Sequence, residues 1–250
     1  MQSVRHWILR VAIVGLAGGC ASGVVPLHTL DSDALYERGM SHLAERKWDE
    51  ARRSFEYLLS AYPGHPKTEE VRYRIGEAYF GAKEYVVAAS EMVRLVSDYP
   101  TGEYADDARY LTCRAYTALS PKPQLDQEYT RAAIEHCEAL AMYHPTSEFA
   151  EDARKTVDAL YEKLAEKTYR NGDYYYRRHA YDSAIIYFEE LLRLYPRSSF
   201  APRSLLRLAQ TYATLGYKEE LEAVLAQLAR DFPDSPEAER AREINLASGG

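Results

Sequence analysis

The side chains able to do chemistry in this chain are three cysteines, seven histidines and a few paired carboxylates. His6, His28, His42, His65, His136, His144 and His179 show neither an HExxH spacing nor a paired Cys/His spacing, so no metal site is expected. Acyl-transfer and phosphate-binding chemistry also lack their signatures. There is no GxSxG elbow, no P-loop and no dinucleotide glycine fingerprint, and the Gly18-Gly19 pair belongs to an apolar N-terminal segment. Glu189-Glu190 and Glu219-Glu220 read as solvated helix faces. No cofactor is implied, and the chain reads as a binding protein rather than an enzyme.

Cys20 is the cysteine with a reactive context. Arg5 and Arg10 precede an apolar run from Val11 to Leu16, and small residues lead up to the thiol. A short basic region, a short apolar core and small residues before a cleavage point mark a secretory signal, too short to remain as a membrane span. Leu16-Ala-Gly-Gly-Cys20 resembles a bacterial lipobox, in which the thiol is diacylated and becomes residue one. Residues 1–19 are therefore expected to be cleaved, with residues 20–30 forming a lipidated tether. Each buried acyl methylene contributes about 0.8 kcal/mol, so several chains anchor firmly. Ala21 and Ser22 supply no retention aspartate, and the expected location is the periplasmic face of the outer membrane of a diderm bacterium.

Charge narrows the partners. The chain has 31 basic and 38 acidic residues, and loss of Arg5 and Arg10 with the signal moves the net charge from −7 to about −9. An acidic surface argues against nucleic acid. The 22 tyrosines, against six Phe and two Trp, are suited to surfaces both wet and adhesive.

The elements that must position these residues follow from an internal repeat. Tyr62-Pro63, Tyr99-Pro100, His144-Pro145, Tyr195-Pro196 and Phe232-Pro233 anchor it. Twelve residues before each proline stand Ala51, Ala88, Ala133, Ala184 and Leu221, and five before stand Leu58, Leu95, Leu140, Leu191 and Leu228. Gly39, Gly76 and Gly172, with Ala209, fall in a further shared slot. Glycine inside a helix costs about 1 kcal/mol relative to alanine, so its recurrence requires close helix approach. The pattern resembles the tetratricopeptide repeat: small residue on the first helix, small residue on the second, proline ending the second.

This predicts an all-α fold, a superhelical stack of five such helix pairs, or α-solenoid, with one continuous core. The proline spacings are 37, 45, 51 and 37, so two repeats are enlarged. Ser120 to Asp126 contains two prolines and is expected to be a loop; residues 147–178 contain none and read as one long helix. Repeats one to three span 31–146, repeats four and five 147–234, and 235–250 is a tail. Cys113 and Cys137 lie on the two helices of repeat three. A periplasmic location permits a bridge, but Cys137 aligns with Phe55, Met92 and Phe188, which favours a small buried apolar side chain.

First helices line the concave groove in such repeats. Three residues before the small slot stand Tyr36, Tyr73, Tyr110 and Tyr169; four after it stand Leu43, Phe80, Thr117 and Tyr176. With Met40 and Arg114 nearby, Tyr36, Leu43, Tyr73, Phe80 and Tyr110 make a groove suited to an extended peptide carrying aromatic side chains and a carboxylate. Alternatively the tyrosines pack between adjacent first helices and only their hydroxyls reach water.

The stretch from Leu160 to Glu189 carries Leu-Ala-Glu-Lys on a long helix, then Tyr-Tyr-x-Arg, then a short turn into an alanine-containing helix. It closely resembles the BamD family of outer-membrane assembly lipoproteins, over about residues 30 to 230. The resemblance implies a subunit of the machine that folds and inserts β-barrel proteins. It also implies that the N-terminal repeats receive the aromatic C-terminal signal of unfolded outer-membrane protein substrates, and that the C-terminal repeats dock on the periplasmic domains of a BamA-like barrel insertase. Arg177, Arg178 and Tyr181 fall in the matching motif as partner-binding residues. A different periplasmic repeat lipoprotein, serving division or peptidoglycan, is the competing reading.

Overall fold

The computed structural model describes residues 25–248, with side chains to residue 244. The signal segment and Cys20 lie outside the described residues. After a 3-10 turn at Leu27–Thr29 come α1 (Ser32–Ala44), α2 (Trp48–Ala61), α3 (Thr68–Gly81), α4 (Tyr85–Asp98), α5 (Ala105–Leu119) and α6 (Glu128–Tyr143). They continue as α7 (Ala150–Arg177), α8 (Tyr181–Leu194), α9 (Ala201–Leu215), α10 (Lys218–Asp231) and α11 (Pro236–Ser248). No strand occurs among the described residues. Each helix packs on its chain neighbours, and α11 packs on α9, so α1/α2 through α9/α10 form the five expected pairs. Residues 236–248, read from sequence as tail, form a further helix that covers the last pair.

Proline explains where the second helices stop. Tyr62, Tyr99, His144, Tyr195 and Phe232 are the C-cap residues of α2, α4, α6, α8 and α10, each with φ near −130° and ψ between 53° and 69°. The following ring clashes with a helical conformation at the preceding residue, so the helix ends there. The turn between first and second helix is set by one left-handed residue, Arg46, Lys83, His179 or Gly216, seventeen places before the proline of its repeat. Only Gly216 adopts φ 75° without a Cβ penalty.

The aligned leucines and alanines are the core: Ala51, Ala88, Ala133, Ala184, Leu58, Leu140, Leu191 and Leu228 are fully buried. Between them the small slot meets a large side chain. A Cβ added at Gly39 would overlap the Phe55 ring, one at Gly76 would overlap the Met92 methyl, and one at Gly172 would lie 2.7 Å from Phe188 Cε1. Close approach is thus the reason for these glycines.

Repeat three departs from this rule, and the expectation for its cysteines is corrected. Cys137 is fully buried, as its alignment required, but it is bonded to Cys113 (S–S 2.02 Å, Cα–Cα 4.8 Å). The reason is register. Cys113 occupies the slot that glycine fills in other repeats and Cys137 the slot of Phe55, Met92 and Phe188, so the two sulfurs meet where elsewhere a ring meets a bare backbone. The proline-containing loop of this repeat is held from within by Gln127, buried, whose Nε2 donates to the carbonyls of Lys122 (2.9 Å) and Leu125 (3.0 Å). Gln127 Oε1 in turn accepts from Thr130 Oγ1 at 2.6 Å.

His136 on α6 stacks on Tyr116 of α5 at 5.0 Å, and burial lowers its pKa below the usual histidine value, with Arg109 adding to the effect against Glu135. A base with a lowered native pKa is neutral in the fold and takes its proton more readily when unfolded. Its contribution is therefore present above about pH 6.5 and is lost as pH falls through the native pKa. We expect His136→Phe to flatten the fall in melting temperature between about pH 6.5 and 5, measured by circular dichroism. An unchanged slope would show that His136 does not carry it.

Candidate functional site

The tyrosine slot on the first helices is repeated in space as well as in sequence, but its rings are packed rather than presented. Tyr36 is only 8% exposed; its hydroxyl donates to Glu70 Oε1 at 2.8 Å and Lys67 Nζ lies 3.8 Å from its ring centre. Burial and the Glu70 carboxylate push the phenol up to about 12. Glu70 itself is held below its usual pKa: burial opposes this, and the hydrogen bonds from Tyr36 and Arg74 outweigh it. Tyr73 stacks on Tyr104 (5.2 Å), Tyr110 on Phe149 (4.4 Å, nearly parallel) and Tyr169 packs against Phe200 (5.4 Å). The partners Lys67, Tyr104, Phe149 and Phe200 are the N-cap residues of α3, α5, α7 and α9. Each ring thus fastens one repeat to the start of the next, with Tyr36 buried and Tyr73, Tyr110 and Tyr169 half-buried.

These partners share a signal that the reading of the tyrosines alone missed. Each stands four residues after a repeat proline.

The exposed part of the groove is narrower than the sequence implied. Arg114, exposed on α5, lies over the Phe80 ring at 4.6 Å and near Tyr110 at 5.7 Å. Phe80 meets Tyr85 edge-on at 5.2 Å. The structure therefore brings Phe80, Tyr110 and Arg114 together as one cation-and-ring surface between repeats two and three. A guanidinium held over aromatic faces keeps its outer N–H groups free for a carboxylate. Met40 and Leu43 are half-buried and instead pack on the core of repeat one beside Tyr36. On the other half, Arg177 is exposed and paired with Asp173 (3.0 Å), while Arg178 lies 4.7 Å over the Tyr174 ring. Tyr181 Oη is 2.8 Å from His179 Nδ1 and its ring meets Tyr176 edge-on. Arg178 and the 47% exposed Tyr174 thus form one patch, and Tyr181 belongs to the turn beside it.

A family model described as "YfiO: Outer membrane lipoprotein" matches residues 29–228. The chain is 25% identical over 230 residues to the outer membrane protein assembly factor BamD of Rickettsia prowazekii, covering 89% of this chain and 90% of that one. It is 27% identical over 229 residues to the BamD of Caulobacter vibrioides, covering 90% and 74%. Among solved structures, the TPR2AB-domain:pHSP90-complex of yeast Sti1 aligns at TM-score 0.45 and 17% identity over 87% of this chain and 84% of that one. The matched residues run through all five helix pairs, from the turn before α1 into α10. The chain belongs to the YfiO family of outer membrane lipoproteins, the family of the BamD assembly factors.

Proposed function

We propose that this chain is a lipid-anchored scaffold subunit of the outer-membrane β-barrel assembly complex. Cys20 tethers it to the periplasmic face of the outer membrane. Repeats one to three receive the C-terminal signal of unfolded barrel substrates, and repeats four and five dock on the periplasmic domains of a BamA-like insertase. It works by binding, holding substrate and insertase together.

The observation that carries this reading is the family match running unbroken over residues 29–228, together with two relatives, each described as an outer membrane protein assembly factor, that align over about nine-tenths of the chain. The local chemistry is compatible with it. Arg114 between Phe80 and Tyr110 offers a cation to a terminal carboxylate and ring faces to an aromatic side chain. Arg178 with Tyr174, and Arg177 beside them, offer an exposed patch of the rings and guanidinium groups that dominate protein interfaces.

The test is affinity isolation of the full chain from detergent-extracted envelopes, with identification of the co-purifying chains and the intact mass of the bait. A barrel protein carrying periplasmic repeat domains should co-purify, and the bait mass should match cleavage before an acylated Cys20. Recovery of division or peptidoglycan proteins without any such barrel protein would overturn the assignment.

A further inference from the structure

The groove changes character at its C-terminal end. Four residues after the repeat prolines stand Lys67, Tyr104, Phe149 and Phe200, which fill the space against Tyr36, Tyr73, Tyr110 and Tyr169. At the last junction the tyrosine slot holds Leu206 and the facing slot holds Glu237, so no ring pair closes it. A cavity of about 330 Å³ remains there between α7, α9 and α11, lined by Tyr169, Arg203, Leu206, Arg207, Gln210, Glu237 and Arg240. The charge pattern switches at the same place. Seven residues after the prolines stand Glu70, Asp107 and Asp152, then Arg203 and Arg240. Arg203 lies in the first turn of α9, where the helix dipole disfavours a cation, so local helix stability does not account for it.

We propose that this cavity is a carboxylate-binding subsite, taking an acidic side chain of an extended peptide segment of a partner protein. It lies outside both surfaces assigned above. Arg207 is the fixed floor: its guanidinium pairs with Asp173 at 2.9 Å, donates to Gln210 Oε1 at 3.0 Å and lies 4.5 Å over the Tyr176 ring. Arg203 and Arg240 form the rim. Arg203 reaches Glu237 only at 3.8 Å, beyond charge-assisted hydrogen-bond distance, and no carboxylate among the described residues comes within ion-pairing distance of Arg240. The Arg240 fork is thus open to a planar carboxylate, and that of Arg203, held 5.2 Å over the Phe200 ring, makes no hydrogen bond to Glu237 and can turn its N–H groups to the same ligand. Four guanidinium groups, those of Arg203, Arg207, Arg240 and the Arg177 that shares Asp173, against Glu237 and Asp173 leave an excess of positive charge here, in a chain whose net charge is −7. This excess favours an anionic side chain, and the Glu237 already in the wall works against a dianionic phosphate.

The test is calorimetric titration of the full chain in non-ionic detergent with a blocked octapeptide of alternating Glu and Thr, with its Gln/Thr counterpart, and with inorganic phosphate. The Glu peptide should bind saturably and the Gln peptide should not. Arg203→Gln/Arg240→Gln should weaken binding about tenfold or more, the loss expected for about 1.4 kcal/mol of charge-assisted contact. Arg203→Lys/Arg240→Lys keeps the charge and removes the fork, and should retain the parent melting temperature with intermediate affinity; it decides the matter if the Gln variant is unfolded. Equal binding of the two peptides, undiminished binding by both variants, or displacement of the peptide by equimolar phosphate would each overturn the proposal.

Discussion

Replacing both Cys113 and Cys137 by alanine is expected to lower the free energy of unfolding by about 3.5 kcal/mol, the chain-entropy value for a closed loop of this size. The bridged residues are 24 apart, and the segment between them contains the Ser120–Asp126 loop, the longest connection within any helix pair. Without the bridge, that loop must be closed by packing alone, and the slot holds two small side chains where other repeats hold a phenyl ring or a methionine. Stacked repeats depend on nearest-neighbour interfaces, so a loosened third pair weakens the coupling between α1–α4 and α7–α10. For a chain of this length the melting temperature should drop by roughly 7–14 °C. Urea unfolding of parent and variant, each with and without reductant, checks this. The reduced parent should behave like the variant, and the variant should ignore the reductant. Coincident curves for oxidised and reduced parent would mean that the bridge contributes nothing to stability.

The architecture was legible because the proline punctuation and the packing slots report the same physical constraints. A ring that forbids a helical residue before it marks a helix end from sequence alone, and a buried leucine five residues upstream gives the face. The long helix was legible for the converse reason: nothing between residues 147 and 178 breaks it, and α7 runs from Ala150 to Arg177. What sequence reasoning missed are pairings across repeats. Tyr36, Tyr73 and Tyr110 are spaced as a ladder whether their rings face solvent or the next helix, and only the neighbours Lys67, Tyr104 and Phe149 decide between these. The bridge was missed in the same way. Cys137 shares the slot of the large residues Phe55, Met92 and Phe188, its partner Cys113 sits in the small slot of the other helix, and the pairing follows only from the two slots together. Arg114 stands out in the sequence as a cation among apolar positions of the first helices, whereas Arg203 and Arg240 share only their place seven residues after a repeat proline.

The contact between Gly172 and Phe188 should be worth as much as any single packing interaction in the C-terminal half. Phe188 is fully buried between α7 and α9, and Phe188→Ala is expected to cost about 3–5 kcal/mol, from lost transfer energy and the cavity left behind. Gly172→Ala should be destabilising by about 1–3 kcal/mol because the added methyl would lie 2.7 and 2.9 Å from Phe188 Cε1 and Cδ1 and force a buried ring aside. Intrinsic propensity predicts the opposite sign, since alanine in a helix is favoured over glycine by about 1 kcal/mol, so the two effects are separable by direction alone. In the double variant the methyl occupies part of the space the ring vacates. The two costs should then fail to add, leaving a favourable coupling of about 0.5–3 kcal/mol. Ile186, two residues from Phe188 but 64% exposed, is the control: Ile186→Ala should change stability by no more than about 0.5 kcal/mol. Urea unfolding of the four variants measures all of these terms. A stabilising Gly172→Ala would mean that the helices can part at no cost, and that close approach is not what keeps glycine in the slot.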